Sequence, residues 1–301
     1  MVNNAHSLHE KLDETRKTGD RSKVKGLLAQ LASIHLRERR FGQAIECYLE
    51  IATICRDLTD RRGEARTLID LATVYRSMGQ TAEAEAYARQ AQLIFRDLGE
   101  RGGEADAVAE LGNAYRTAER VGDALACCME SISIFRDLGD RAGEARALTL
   151  LAEVYRNQNR SPDAAACCRE ALLHWQSLKD RKGEGETLAT LGKIYRAEGR
   201  GDQAAACWRE NLSIQRELKD GLGEAETLAE LGGLLRDDKR FAEASAYCHE
   251  SRSICRGLED GPGEAIALGE LERVYREEGR QYESLACGEE SRSIWQALSV
   301  M

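Results

Sequence analysis

Only two prolines occur in 301 residues, and aromatic side chains make up 5% of the chain. So little proline excludes a proline-rich or extended linker protein, and an apolar share of 42% supports a folded one. With few aromatics, the apolar surface must come from Ala, Leu and other small or unbranched side chains, which suit close packing of helices. No stretch approaches the roughly 20 apolar residues that cross a bilayer. The opening MVNNAHSLHEKLDETRK has no apolar core of the kind a signal peptide carries. A cytoplasmic protein is therefore expected. Basic residues are in the minority, 43 against 52 acidic ones, and the net charge of −9 repels phosphate backbones and anionic lipid heads. Neither direct nucleic-acid binding nor a membrane partner is expected. Also missing are G-x-S-x-G, a phosphate loop and H-E-x-x-H, and the five histidines are scattered. The expectation is a protein that is not an enzyme and holds no cofactor or metal.

What the sequence has is a period of 40 residues. An acidic residue recurs at Asp20, Asp60, Glu100, Asp140, Asp180, Asp220 and Asp260, and Gly-Glu follows three residues later at 63/64, 103/104, 143/144, 183/184, 223/224 and 263/264. Within a unit, Leu68, Leu71, Ala72 and Tyr75 keep to one face of a helix, here called helix A. After a break near Gly79, Ala84, Ala88, Ala91, Ile94, Phe95 and Leu98 do the same for helix B. The acidic residue is placed to accept from free N–H groups at the start of helix A, and Glu64 and its equivalents complement the dipole there. Gly99 and Gly139 stand where helix B should stop, while Pro162 and Pro262 stand at helix starts.

These signals predict an all-α fold: a capping helix in residues 1–20, then seven antiparallel helix hairpins at 21–60, 61–100, 101–140, 141–180, 181–220, 221–260 and 261–301, with no second domain. One hairpin cannot bury its own apolar stripe, so the units must stack as an α-solenoid. Gly232-Gly233 weakens helix A of the sixth unit, and the sixth and seventh hairpins are expected to be irregular. Eight of the ten cysteines follow the repeat, including Cys47, Cys127, Cys167, Cys207 and Cys287 at one position of helix B. That is the behaviour of small packing residues kept as thiols. The vicinal pairs Cys127-Cys128 and Cys167-Cys168 lack zinc spacing and companion histidines.

LGNAYR at 111–116 and LGKIYR at 191–196, with Leu71, Leu151, Leu271, Tyr75, Tyr155, Tyr275 and the alanines at 44, 84, 124, 164, 204 and 244, resemble the tetratricopeptide repeat. The unit is longer than the usual repeat of about 34 residues. Its LGDRAGEARAL style of junction is similar to the 40-residue subfamily found in spindle-orientation scaffolds and bacterial multi-repeat signalling proteins. The resemblance implies a right-handed superhelix whose inner surface is lined by the A helices and receives a peptide. It also implies that Asn113 matches an asparagine that contacts the bound backbone, and that Arg66 and Arg146 occupy inner-face positions.

On helix A the side opposite Leu68, Leu71 and Tyr75 carries residues 66, 69, 73 and 76. The 73-like position varies, with Thr73, Asn113, Glu153 and Lys193, as befits a surface that reads one ligand. The 76-like position is Arg76, Arg116, Arg156, Arg196, Arg236 and Arg276. Two readings of this ladder stand open: a rail for an acidic or phosphorylated peptide, or a scaffold in which each arginine meets a carboxylate such as Asp70, Glu110, Glu230 or Glu270. The leading function is a protein–protein interaction adaptor that holds a peptide segment of its partner in the groove. A peptide-responsive regulator and a self-assembling structural unit are the alternatives. The last helix carries Ile294, Trp295 and Leu298 with no helix after them, a candidate surface for homo-oligomer formation.

Overall fold

The computed structural model describes residues 2–299, and among them every regular element is an α-helix. They are α1 (Val2–Thr18), α2 (Arg21–Arg37), α3 (Phe41–Asp57), α4 (Arg61–Ser77), α5 (Thr81–Asp97), α6 (Arg101–Thr117), α7 (Val121–Leu138), α8 (Arg141–Asn157), α9 (Ser161–Leu178), α10 (Arg181–Ala197), α11 (Gly201–Leu218), α12 (Gly221–Asp237), α13 (Phe241–Gly257), α14 (Gly261–Glu278) and α15 (Gln281–Ser299). Neighbouring helices pack as consecutive hairpins, the arrangement of an α-solenoid. The helices fall into two compact units, Met1–Val154 and Tyr155–Met301.

From α2 onward each helix starts 20 residues after the previous one, so the 40-residue period is two equal steps. Every junction turns through one left-handed residue two places before the next helix. Glycine provides it at Gly19, Gly79, Gly99, Gly139, Gly199 and Gly279. Arg39, Thr59, Glu119, Asn159, Lys179, Lys219, Lys239 and Glu259 adopt the same turn with φ between 55 and 61°. The repeat therefore imposes the geometry even where the side chain resists it.

The two kinds of helix start are closed differently. At most A helices an aspartate accepts from a backbone N–H three residues on, as Asp60 does from Gly63 at 2.8 Å and Asp140 from Gly143 at 2.9 Å. Glu100 and Asp260 make no such bond. Three B helices, α7, α9 and α11, begin at an arginine that caps nothing with its side chain but lies over the tyrosine five residues earlier. Arg120 is 4.3 Å from the Tyr115 ring centroid, Arg160 4.3 Å from that of Tyr155 and Arg200 4.5 Å from that of Tyr195.

Gly-Glu is explained by two contacts that reach back eight residues into the preceding B helix. The glycine makes room for a ring: a Cβ on Gly143 would lie 2.6 Å from Phe135 Cγ, and one on Gly103 2.7 Å from Phe95 Cγ. The glutamate takes the adjoining arginine, as in Arg96–Glu104 at 2.7 Å, Arg136–Glu144 at 2.6 Å and Arg216–Glu224 at 2.6 Å. Ring and ion pair together lock α5 to α6 and α7 to α8, whereas at Gly63, Gly223 and Gly263 the aspartate at the helix start takes the place of the ring.

Helix α12 runs unbroken through Gly232-Gly233, contrary to the irregularity expected there. The glycines are needed for space: the Cys248 Sγ fills the place of a side chain at 232, and the Arg196 guanidinium passes 3.2 Å from where a Cβ at 233 would sit. Size is exchanged similarly elsewhere. Trp208 covers Gly192, and Glu272, a large residue at a small position, faces Gly288.

Candidate functional site

In the unit Met1–Val154 the A helices α4, α6 and α8 line an open cavity of about 540 Å³. Helix α4 contributes Arg66, Ile69 and Asp70. Helix α6 contributes Asp106, Ala109, Glu110 and Asn113, α8 adds Arg146, Ala147 and Leu150, and Phe135 of α7 closes one wall. Three residues singled out from sequence, Arg66, Asn113 and Arg146, thus line one cavity. Thr73 is not among its lining; its hydroxyl donates to the Ile69 carbonyl of its own helix at 3.1 Å.

Charges inside the cavity are mostly matched. Arg146 donates to Asp106 at 3.2 Å and lies 5.9 Å from the Phe135 ring centroid. Glu110 accepts from Arg76 at 2.7 Å and from Asn113 at 3.5 Å. Asp70 has no hydrogen bond or ion pair among the described residues, although Arg66 stands one turn before it. Water reaches Asp70, yet protein surrounds it on most sides. This desolvation pushes its carboxyl up to about 6, with Arg66 opposing the rise and Glu110 adding to it. Burial and Asp70 together push the hydroxyl of Tyr48, on α3, up to about 12.

The arginine ladder follows a register of 34 residues. Arg76 meets Glu110, Arg196 meets Glu230 at 3.2 Å, and Arg236 meets Glu270 at 2.8 Å. Arg196 also bonds Asp237 at 2.7 Å, and Lys193 stands 3.7 Å from Glu230. Where the register offers Leu150 and Thr190, the rungs behave differently. Arg116 reaches past Leu150 to Glu153 at 3.2 Å, and Arg156 leaves its Nε buried without a partner among the described residues. Arg276 bonds Glu272 on its own helix. Glu110, Glu230 and Glu270, expected from the sequence as carboxylates that could meet the ladder, are its partners here, each in the repeat after its arginine.

At the other end of the chain, Ile294 packs into the cluster of Leu268, Leu271 and Tyr275, and Leu298 lies against Gly261. Trp295 remains 43% exposed. None of the ten cysteines is joined in a disulfide. Burial pushes the thiols of Cys127, Cys167 and Cys207 up to about 11 and that of Cys248 to about 12, so none of these four is poised as a nucleophile. Among the described residues no helix is long and apolar enough to cross a membrane.

Helix pairs repeating at fixed register around a cavity lined by A helices define a helical-repeat protein. The tetratricopeptide-repeat profile matches residues 26–97, 104–177 and 223–297, and the chain belongs to that family. No curated protein sequence matches it. Among solved structures, BtubC (BKLC) from P. vanneervenii is 18% identical with a TM-score of 0.62, over 74% of this chain and 91% of that one. Aspartyl phosphate phosphatase F from Bacillus subtilis is 14% identical with a TM-score of 0.66, over 94% and 74%. The Rap conjugation gene regulator of plasmid pLS20, solved in complex with the Phr* peptide, is 13% identical with a TM-score of 0.68, over 99% and 77%. At these identities the likeness is one of fold.

Proposed function

We propose that this protein is a protein–protein interaction adaptor that holds a peptide segment of its partner in the cavity between α4, α6 and α8. The observation that carries the reading is the convergence of Arg66, Asn113 and Arg146 on one cavity. Asn113 offers an amide for a peptide backbone, Ile69, Ala109 and Leu150 offer apolar wall, and the arginines and carboxylates set charge preference. The peptide complex of the pLS20 regulator supports this use of the fold. Binding rather than catalysis also suits side chains that are committed to one another: the carboxylates of Asp106, Glu110 and Glu153 each hold an arginine.

The test is a random peptide library displayed on phage and selected on the full chain. Selected peptides should lose most of their affinity for Asn113→Ala and Arg146→Ala. Asn113→Ala and Arg146→Ala variants that bind the same peptides as tightly as the wild type would remove the cavity as the binding site.

A further inference from the structure

The ladder's register exposes one carboxylate that the repeat leaves over. In the pairs Arg76–Glu110, Arg196–Glu230 and Arg236–Glu270 each arginine meets a carboxylate 34 residues later. Asp70 occupies the carboxylate position of this series, and the residue 34 before it is Leu36, where the later repeats have arginine. The rung is therefore half built. Arg66 does not complete it, because arginine four residues ahead of an acid is the weaker order for a pair on one helix. Among the described residues, Tyr48 from α3, Arg66 from α4 and Glu110 from α6 interact with Asp70, and Asp106 from α6 and Arg146 from α8 line the same cavity. Tyr48 is neutral, Arg146 is held by Asp106, and Glu110 is held by Arg76.

We infer that Asp70 is the specificity-determining residue of the cavity and receives a lysine or arginine side chain of the bound peptide, which takes the place of the arginine missing at position 36. This rests on the reading of the cavity as a peptide site. The geometry suits a long basic side chain: its methylenes would run along Ile69, Ala109 and Leu150 while its head meets the carboxylate. It also replaces an acidic peptide, the partner suggested by the arginine ladder alone, with one that carries at least one basic residue. The rail's positive charge is largely taken up within the protein: Arg76, Arg116, Arg196 and Arg236 each hold a carboxylate of a later repeat.

Peptides recovered from the phage library are measured in solution by fluorescence anisotropy against the wild type, Asp70→Asn and Leu36→Arg. The expected result is lysine or arginine enriched at one position of the peptides. Asp70→Asn should weaken them by about tenfold or more. Leu36→Arg, which supplies the missing rung from within, should weaken them as much. Lowering the pH from about 7.5 to about 5 should weaken binding to the wild type and leave Asp70→Asn unchanged, because the Asp70 carboxyl gains its proton in that interval. Peptides that depend on Asn113 and Arg146 but carry no basic residue, or bind Asp70→Asn equally well, overturn the role of Asp70 and leave the cavity reading standing. Peptides indifferent to Asn113→Ala and Arg146→Ala, or no peptides at all, overturn both.

Discussion

Gly143→Ala separates a glycine required for space from one that is merely tolerated. Gly143 is buried in the first turn of α8, and an added methyl would lie 2.5 Å from Phe135 Cε1 and 2.6 Å from Cγ. Those separations are well inside van der Waals contact, so the ring must move. Phe135 is 1% exposed, so its ring can yield only by displacing its neighbours or shifting into the cavity it walls. Overpacking of this kind costs about 1–3 kcal/mol. Alanine returns up to about 1 kcal/mol through helix propensity, less in a first turn. The expected net change is a destabilisation of about 1–2 kcal/mol. Gly26 is the control: it lies within α2 with nothing within 4 Å of its would-be Cβ, and Gly26→Ala should stabilise by up to about 1 kcal/mol. Urea unfolding followed by far-ultraviolet circular dichroism reads both. With a slope of about 1–3 kcal/mol per molar urea, the two midpoints should move in opposite directions by an easily measured fraction of a molar. Combining Phe135→Leu with Gly143→Ala should recover part of the loss, since the smaller side chain can yield. If Gly143→Ala were as stable as Gly26→Ala, the ring-on-glycine account of the Gly-Glu motif would be wrong.

Three further outcomes follow from the junctions and the core. Thr59→Gly relieves a β-branched residue held at φ 55° and should raise the melting temperature, with a gain on the order of 1 kcal/mol, whereas Thr73→Gly, inside α4, should lower it. Glu64→Ala removes a carboxylate that is 3% exposed and bonded to Arg61 at 2.7 Å and near Arg56 at 3.4 Å. Thermal melts should show a loss of about 1–3 kcal/mol, because the arginines are themselves half-exposed and can return to water. The buried thiols make stability depend on alkaline pH. In the unfolded chain they ionise near their ordinary value of 9.0, while Cys127, Cys167, Cys207 and Cys255 hold their protons to about 11 and Cys248 to about 12. The native state then binds more protons than the unfolded one, so the stability these thiols give is present below pH 9 and falls as pH rises from there toward 11–12. Urea midpoints measured across that interval should drop, and Cys248→Ala should drop less steeply.

The helices were legible because their signals are local. Asp60 caps a helix with its side chain, Gly139 ends one and Pro162 begins one, and each acts within a few residues of itself. The 20-residue step was less evident, because eight of its left-handed residues are not glycine and carry no signature. The motif Gly-Glu could be seen but not explained: its partners Phe135 and Arg136 lie eight residues back and meet it only after the chain has turned. Glu272, a large residue where the pattern has a small one, is one half of an exchange with Gly288 that no local signal reveals. The cavity was legible in three of its residues, whereas Asp70 read only as one more partner for the ladder, because what distinguishes it is an arginine that is not there.

The same register argument applies with the opposite sign in the unit Tyr155–Met301. Arg156 is a rung whose partner position, 34 residues on, holds Thr190, and three residues beyond it stands Lys193, which is itself drawn to Glu230. The Thr190 hydroxyl donates to the Glu186 carbonyl at 3.2 Å and takes no part in the ladder. Thr190→Glu should therefore complete the rung, giving the buried Arg156 Nε an acceptor and stabilising the protein by about 1 kcal/mol. Because the new bond is an ion pair, the gain should shrink as salt is raised. Removing the arginine afterwards, as Thr190→Glu with Arg156→Gln, should cancel it. Thr190→Glu that destabilises the protein, or a gain that survives the loss of Arg156, would mean that the 34-residue register does not govern this rung, and the reading of Asp70 as its mirror image would lose its basis.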